Sequence, residues 1–446
     1  MPRSLTLVLC VLAACSEEVP RRDAARADGT GPADAALLDG DARSNGDTGP
    51  AELGLDQLPA VDLADGAPPP DGGVVLDAAS CTKIVQPGAA LDTVANAASP
   101  GDVICLHAGT YAGFTMSNSG TASAPIVIRA YPGEELQAKL TNNSSTSGYG
   151  VRVNSSAYLV IEGLWIDKVN QGIYVKESDH IQVRYNKVTE VGQECLRFKL
   201  SDFGAFVGNT VKGCGRKTGA NGEGIYVGSG ESPGDDTHGA LVSGNDVSDT
   251  THEGIELKGF THDCIVEGNR VHDLSVHDGG GIHVTTTETT APNESGHIVR
   301  GNVVYNITTV TSYADGNGIN FQRGGQLYNN VLYGNQHYGL RVDDKRGLKG
   351  TVKVYHNTMY QNASGALGVY DGLSPDVRNN LGPTGADNLA AAAQMFVKPA
   401  SGDFHLVSGA APIDKGSDVG VATDIEGVSR PQGAGYDYGA HERPGP

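Results

Sequence analysis

Glu253-Gly254-Ile255-Glu256-Leu257-Lys258 places two carboxylates and an amine within one short stretch. Side chains alternate along a strand, so Ile255 and Leu257 face one way while Gly254, Glu256 and Lys258 face the other. Aligned on Gly254, the same unit recurs as Gly150-Val151-Arg152-Val153, Gly172-Ile173-Tyr174-Val175, Cys195-Leu196-Arg197-Phe198, Gly224-Ile225-Tyr226-Val227, Gly281-Ile282-His283-Val284, Gly318-Ile319-Asn320-Phe321 and Gly339-Leu340-Arg341-Val342. One strand is being repeated. The anchors are spaced by 22, 23, 29, 30, 27, 37 and 21 residues. A constant floor with variable excess predicts a fixed coil with loops inserted in some copies.

A second series runs between the anchors: Val183-Arg184-Tyr185-Asn186, Val207-Gly208-Asn209, Val242-Ser243-Gly244-Asn245, Val266-Glu267-Gly268-Asn269 and Val299-Arg300-Gly301-Asn302, then Asn330, Asn357 and Asn380. Asparagine tolerates left-handed backbone and its amide can bond to the next coil, so stacked copies would form a ladder inside a bend. With these residues on the page, residues 81 to 442 resemble the right-handed parallel β-helix superfamily, the pectate-lyase-like group. The stretches Gly101-Asp102 to Tyr111 and Ala124 to Glu134 resemble its first coils. Asp403-Phe404-His405-Leu406, Asp424-Ile425-Glu426-Gly427, Arg430-Pro431 and Asp437 to Glu442 resemble a C-terminal cap common among secreted members. The expected fold is all-β, a single-stranded right-handed parallel β-helix over residues 81–386, with a short helical cap near Leu91 to Ala98 before it and a capping segment over 387–446.

The chain opens with Arg3, an apolar run from Leu5 to Ala14, and Leu12-Ala13-Ala14-Cys15. This reads as a lipoprotein signal peptide over residues 1–14 with acylation at Cys15, which would place the protein outside the cytoplasm, in the cell envelope or at its surface. From Ser16 to Ser80 there are 14 acidic against 4 basic residues and almost no aromatics. Residues 15–80 are therefore expected to be a disordered acidic tether, because such a composition cannot bury enough apolar surface to offset chain entropy. The whole chain carries a net charge of −20. That balance argues against nucleic acid as a partner and against a membrane contact other than the lipid, while a local cation site could still capture an acidic polymer. A monomer is expected.

Cys81 and Cys105 fall on consecutive strands that stack about 4.8 Å apart, within reach of a disulfide. Cys195, Cys214 and Cys264 are an odd set, which predicts at least one free thiol. No pair has C-x-x-C spacing, and this argues against zinc.

In a stacked coil the outward positions form columns. Two places after the anchor the column reads Arg152, Tyr174, Arg197, Tyr226, Glu256, His283, Asn320, Arg341; four places after, Asn154, Lys176, Lys199, Gly228, Lys258, Thr285, Gln322, Asp343; one place before, Gln171, Glu194, Glu223, Glu253, Gly280, Asn317. Carboxylates stacked at strand spacing repel one another by a few kcal/mol at an effective dielectric near 20, unless cations intervene. One reading is a salt-bridged face neutralised by Lys199, Lys258 and Arg197; the other is a site for a divalent cation and a uronate. Insertions over 215–222 and 308–316 on the connection entering this face, and over 229–239 and 285–296 on the connection leaving it, would wall a groove for a polymer.

The array resembles polysaccharide lyase family six, the chondroitinase B and alginate lyase group, in which an acidic calcium ligand precedes a base lysine by five residues, as Glu253 precedes Lys258. The family's other glutamate, two residues earlier, is Thr251 here; its arginine one coil on is matched by His283, and Glu223 or Asn221 stands ready in the coil before. The resemblance implies β-elimination from a uronate, with Lys258, His283, Tyr226 and Arg197 catalytic, Lys199, Glu256, Asn320 and Arg341 binding an acidic polysaccharide, and Glu223, Glu253 and Glu194 holding Ca2+. Two alternatives stand beside it: a non-catalytic glycan-binding or surface-structural lipoprotein, and a glycoside hydrolase using the pair Asp343-Asp344, for which no Asn-Thr-Asp or Gly-His-Gly is present. The histidines His252, His262, His272, His277 and His283 cluster in sequence but fall on different faces, most of them reading as surface turns, and Gly279-Gly280-Gly281 opens a strand rather than a dinucleotide-binding helix.

Overall fold

The computed structural model describes residues 80–219, 221–230, 235–285, 294–310, 316–343 and 350–444. The signal peptide, Cys15 and the tether up to residue 79 lie outside the described residues, as do parts of all four inserted connections and Asp344. Among the described residues no helix is long and apolar enough to cross a membrane.

The chain from Lys83 winds as a right-handed parallel β-helix. Each coil lays one strand on each of three parallel sheets of 12, 10 and 12 strands. The ten-stranded sheet runs from Phe114–Met116 to Gly365–Val369 and contains every copy of the anchored unit. Its inward positions are apolar: Ile225, Ile255, Ile282 and Ile319 stand in direct register, as do Val227, Leu257, Val284 and Phe321, all fully buried. The anchor glycines are required by close packing. A Cβ on Gly254 would lie 2.4 Å from the Val271 side chain and 2.7 Å from the Gly281 carbonyl. A short helix, Leu91–Asn96, buries Leu91 and Ala95 against the first coils.

The asparagine series forms a continuous ladder. The side-chain oxygen of each of Asn209, Asn245, Asn269, Asn302, Asn330, Asn357, Asn380 and Asn388 accepts both the backbone N–H and the Nδ2–H of the preceding copy, at 2.8 to 3.1 Å. The expectation that asparagine takes the left-handed conformation is corrected. That conformation belongs to the residue before each ladder asparagine from Asn186 to Asn380, Gly208, Gly244, Gly268 and Gly301 among them, with φ near +60°. The asparagine is there for its amide and the residue before it makes the bend. A second, shorter ladder runs through hydroxyls, with Ser178, Ser201 and Thr237 each accepting from the backbone N–H of the preceding coil.

Stacking continues to Asn388–Leu389 on the third sheet, after which residues 396–406 form an antiparallel hairpin whose Phe396, Phe404 and Leu406 make a separate small core with Leu381 and Ala440. Two disulfides join neighbouring coils, Cys81–Cys105 and Cys195–Cys214, and Cys264 is free and buried.

Candidate functional site

The register of the ten-stranded sheet makes the sequence column a physical one. Tyr174, Arg197, Tyr226, Glu256, His283, Asn320 and Arg341 are direct neighbours on successive strands, pointing away from the core. Outward does not mean exposed here. Tyr226, Glu256, His283 and Asn320 are all buried, with Glu256 only 1% exposed, and so are Glu194, Glu223 and Glu253 at the strand entrances.

At the centre, Lys258 Nζ lies 2.6 Å from Glu256 Oε1. His283 Nδ1 lies 2.8 Å from Glu253 Oε1 and 3.7 Å from Glu256 Oε1, and its Nε2 is 3.4 Å from Asn320 Nδ2. Lys258, Glu256, His283 and Glu253 thus form one connected cluster across two coils. The Lys258 ammonium also sits 5.3 Å from the centre of the Tyr226 ring, whose other side is covered by the Arg197 guanidinium at 4.6 Å.

The charges are unevenly compensated. Oε2 of Glu223 and Oε2 of Glu256 are buried and accept no hydrogen bond among the described residues. Burial, with the charges of Glu256, Glu253 and Glu194 added, pushes Glu223 up to about 9. Burial and then Glu253 push Glu256 to about 7, against the pull of Lys258 and His283. Burial opposes the charge on Lys258, yet Glu256, Tyr226 and Glu253 outweigh it and hold the ammonium above the ordinary lysine range. Burial raises the Tyr226 phenol, so its hydroxyl keeps its proton. One oxygen on each of Glu223 and Glu256 lacks a donor among the described residues, and Glu253, Glu256 and His283 each bring one donor atom within 4.8 Å of the others, a good fit for a cation with Glu223 close enough to feel their charge.

The remaining predicted residues sit at the edges of this cluster. Glu194, expected among the cation ligands, spends one oxygen on Arg197 Nη1 at 2.8 Å and the other on Gln171 Nε2 at 3.0 Å, so it anchors Arg197 instead. Arg341, expected to bind substrate, lies 2.8 Å from Asp343. Lys199 stands in register with Lys176 on the column that later carries Lys258. A buried group that the columns did not reveal lies beyond the strand ends: Arg323 donates to the Thr261 carbonyl at 2.6 Å, and His297 contacts the Thr261 hydroxyl at 3.2 Å and accepts from the Cys264 N–H at 3.1 Å. Burial, helped by Arg323, drives His297 down to about 3. Of the clustered histidines, His252 is partly covered, and burial lowers it.

No family model and no curated protein matches the chain. Solved structures do. An alginate lyase from Paenibacillus sp. is 22% identical with a TM-score of 0.53, covering 66% of this chain and 100% of its own. Pectate lyase Pel9A is 18% identical at 0.53, covering 82% and 97%. A rhamnogalacturonan lyase is 13% identical at 0.54, covering 71% and 90%. What the chain shares with these structures is the fold, the parallel β-helix.

Proposed function

We propose that this protein cleaves an acidic polysaccharide by β-elimination, with the polymer lying across the outward face of the ten-stranded sheet. The observation that carries the reading is the buried cluster of Lys258, Glu256, His283 and Glu253 on the outer side of the helix, where folding alone does not require charge. Elimination needs the uronate carboxylate neutralised, a base for the C5 proton and an acid for the leaving O4; the C5–H and C4–O bonds break and a C4–C5 double bond forms. Lys258 takes the C5 proton once it is neutral. Its contact with Glu256 opposes that state, so the carboxylates must be neutralised first. A divalent cation held by Glu223, Glu253 and Glu256, with His283 beside them, would supply that neutralisation and polarise the substrate carboxylate. Calcium suits the oxygen donors, while the imidazole leaves room for a softer ion. Tyr226, protonated and next to Lys258, donates to the leaving oxygen, and His283 is the second candidate for that role. Arg197, held by Glu194, together with Lys199, Asn320 and Arg341, lines the path of the polymer.

The two disulfides support a location outside the cytoplasm, with Cys15 as the lipid anchor. A second reading, a glycan-binding protein without turnover, draws support from the 2.6 Å Lys258–Glu256 pair, which satisfies the lysine without any substrate. Incubation with mannuronate, galacturonate and glucuronate polymers, followed by ultraviolet absorbance of the unsaturated uronate product, separates the two. Absorbance that rises with wild type and not with Lys258→Ala supports the lyase. Binding to a polymer without absorbance supports the module, and reducing ends without absorbance would indicate hydrolysis.

A further inference from the structure

The C-terminal cap carries a second donor cluster, remote in sequence from the site above. His405 lies on the strand Asp403–Leu406, between Phe404 and Leu406, which are buried in the cap core. Its Nε2 faces both oxygens of Glu426 at 3.0 Å, and its ring lies against that of His441 with centroids 4.4 Å apart. One donor atom from each of His405, Glu426 and His441 falls within 4.8 Å of the others. The Nδ1 of His441 is buried and has no hydrogen-bond partner among the described residues.

We propose that His405, Glu426 and His441 bind a borderline divalent metal ion, Zn2+ being the best match, with the fourth position open to water on the exposed side of His405. Two imidazoles and one carboxylate are a donor set that zinc takes readily, and its bonds of about 2.0 to 2.1 Å put neighbouring ligands roughly 3.3 Å apart, close to the spacing already present between His405 and Glu426. The surroundings are those of a metal-bound histidine: the other ring nitrogen of His405, Nδ1, is held by Asp403 at 2.8 Å, which orients the ring and leaves Nε2 for the ion. The backbone is arranged in advance as well. One oxygen of Asp424 accepts from the N–H groups of Glu426 and Val428 at 2.9 and 2.8 Å, and the other accepts from the N–H of Glu442, next to His441, at 2.9 Å. Ile425 donates to the Ala440 carbonyl at 3.0 Å, so the segments bearing Glu426 and His441 are fastened together before any ion binds. This donor set contains no cysteine, so cysteine spacing does not bear on it.

The ion would clip three segments of the cap to one another. The test is titration of untagged, chelator-treated full-length protein with Zn2+ by calorimetry, with Co2+ in parallel for its four-coordinate visible spectrum. With Ca2+ present to fill the Glu253 cluster, the expected result is one zinc per chain at the cap and a higher melting temperature. His441→Ala and His405→Ala should each abolish both, Asp403→Asn should weaken binding about 10–100-fold, and His283→Ala should leave it unchanged. His405→Gln, at an exposed position, guards against a folding defect. No zinc bound by wild type, or binding that survives His405→Gln and His441→Ala, would overturn the proposal and leave His405 as an imidazolium bridging Asp403 and Glu426; loss of binding in His283→Ala alone would assign the ion to the other cluster.

Discussion

Two outward faces of the same helix stack charged residues at the same rung spacing and treat them in opposite ways. On the sheet that begins at Lys83–Val85, Glu162 lies in register between Arg129 and Arg184, with contacts of 3.4 and 2.6 Å, and Glu267 pairs with Arg300 at 2.6 Å. Both of these acids have a base on the next coil. On the ten-stranded sheet, Glu223, Glu253 and Glu256 crowd together with one lysine and one histidine, and two of their oxygens accept nothing among the described residues. In the first arrangement both oxygens of Glu162 are taken by arginines, and what is left over is a donor, Arg129 Nη1, rather than an acceptor. The second is complete only when something positive is added, and uncompensated acceptors, rather than the number of charges, are what set the two faces apart.

The sharpest way to break this contrast is Lys258→Ala. Removing a group that transfers a proton should lower turnover by about 10²–10⁴-fold, read as the initial rate of product absorbance, with polymer binding largely kept. Full activity in this variant on a polymer that wild type cleaves would dismiss Lys258 as the base. On the paired face the corresponding experiment is Glu162→Gln, which strands the buried Arg129 guanidinium. It should destabilise the fold by about 3 kcal/mol, measured by denaturant midpoint, without changing the specific activity of the folded fraction. A neutral result would mean that the pairs on that face contribute nothing to stability. Smaller in effect, Glu253→Gln should weaken polymer binding and make it insensitive to chelator, whereas binding that never depended on chelator would remove the cation from the mechanism.

Much of this face could be read in the sequence, because a stacked coil converts spacing directly into adjacency. The anchors at Gly224, Gly254, Gly281 and Gly318 placed Tyr226, Glu256, His283 and Asn320 side by side without any structure. What spacing could not supply is where long side chains reach once they leave the strand. Lys258 turns back to Glu256 on its own strand, His283 crosses to Glu253 on the coil before, and Glu194 is drawn away by Arg197 and Gln171. Depth was hidden too, since alternation predicts an outward side chain at Glu256 and says nothing of its being covered. The cluster of His405, Glu426 and His441 left no periodic signal at all, because the cap does not repeat and its donors converge from three unrelated segments.

The finest test of the contrast is the pH dependence of stability on the ten-stranded sheet. Glu223 and Glu256 have folded values raised to about 9 and about 7, above the ordinary value of 4.5 that the unfolded chain retains. Between those limits the folded state binds more protons than the unfolded one. The stability these groups contribute is therefore fully present below about pH 4.5 and is lost as pH rises through 7 towards 9, with a limiting slope of about 1.4 kcal/mol per pH unit for each proton. Glu223→Gln removes one of these groups and its repulsion with Glu253 and Glu256, so it should stabilise the protein at pH 8, by roughly 1–2 kcal/mol on the scale of a relieved buried charge, and flatten the decline. Saturating divalent cation should produce the same flattening in wild type by holding the carboxylates ionised. Glu162→Gln should do neither. If unfolding midpoints measured from pH 5 to 9 fall equally in wild type and in Glu223→Gln, the acids on the ten-stranded sheet are already compensated, and the difference between the two faces disappears.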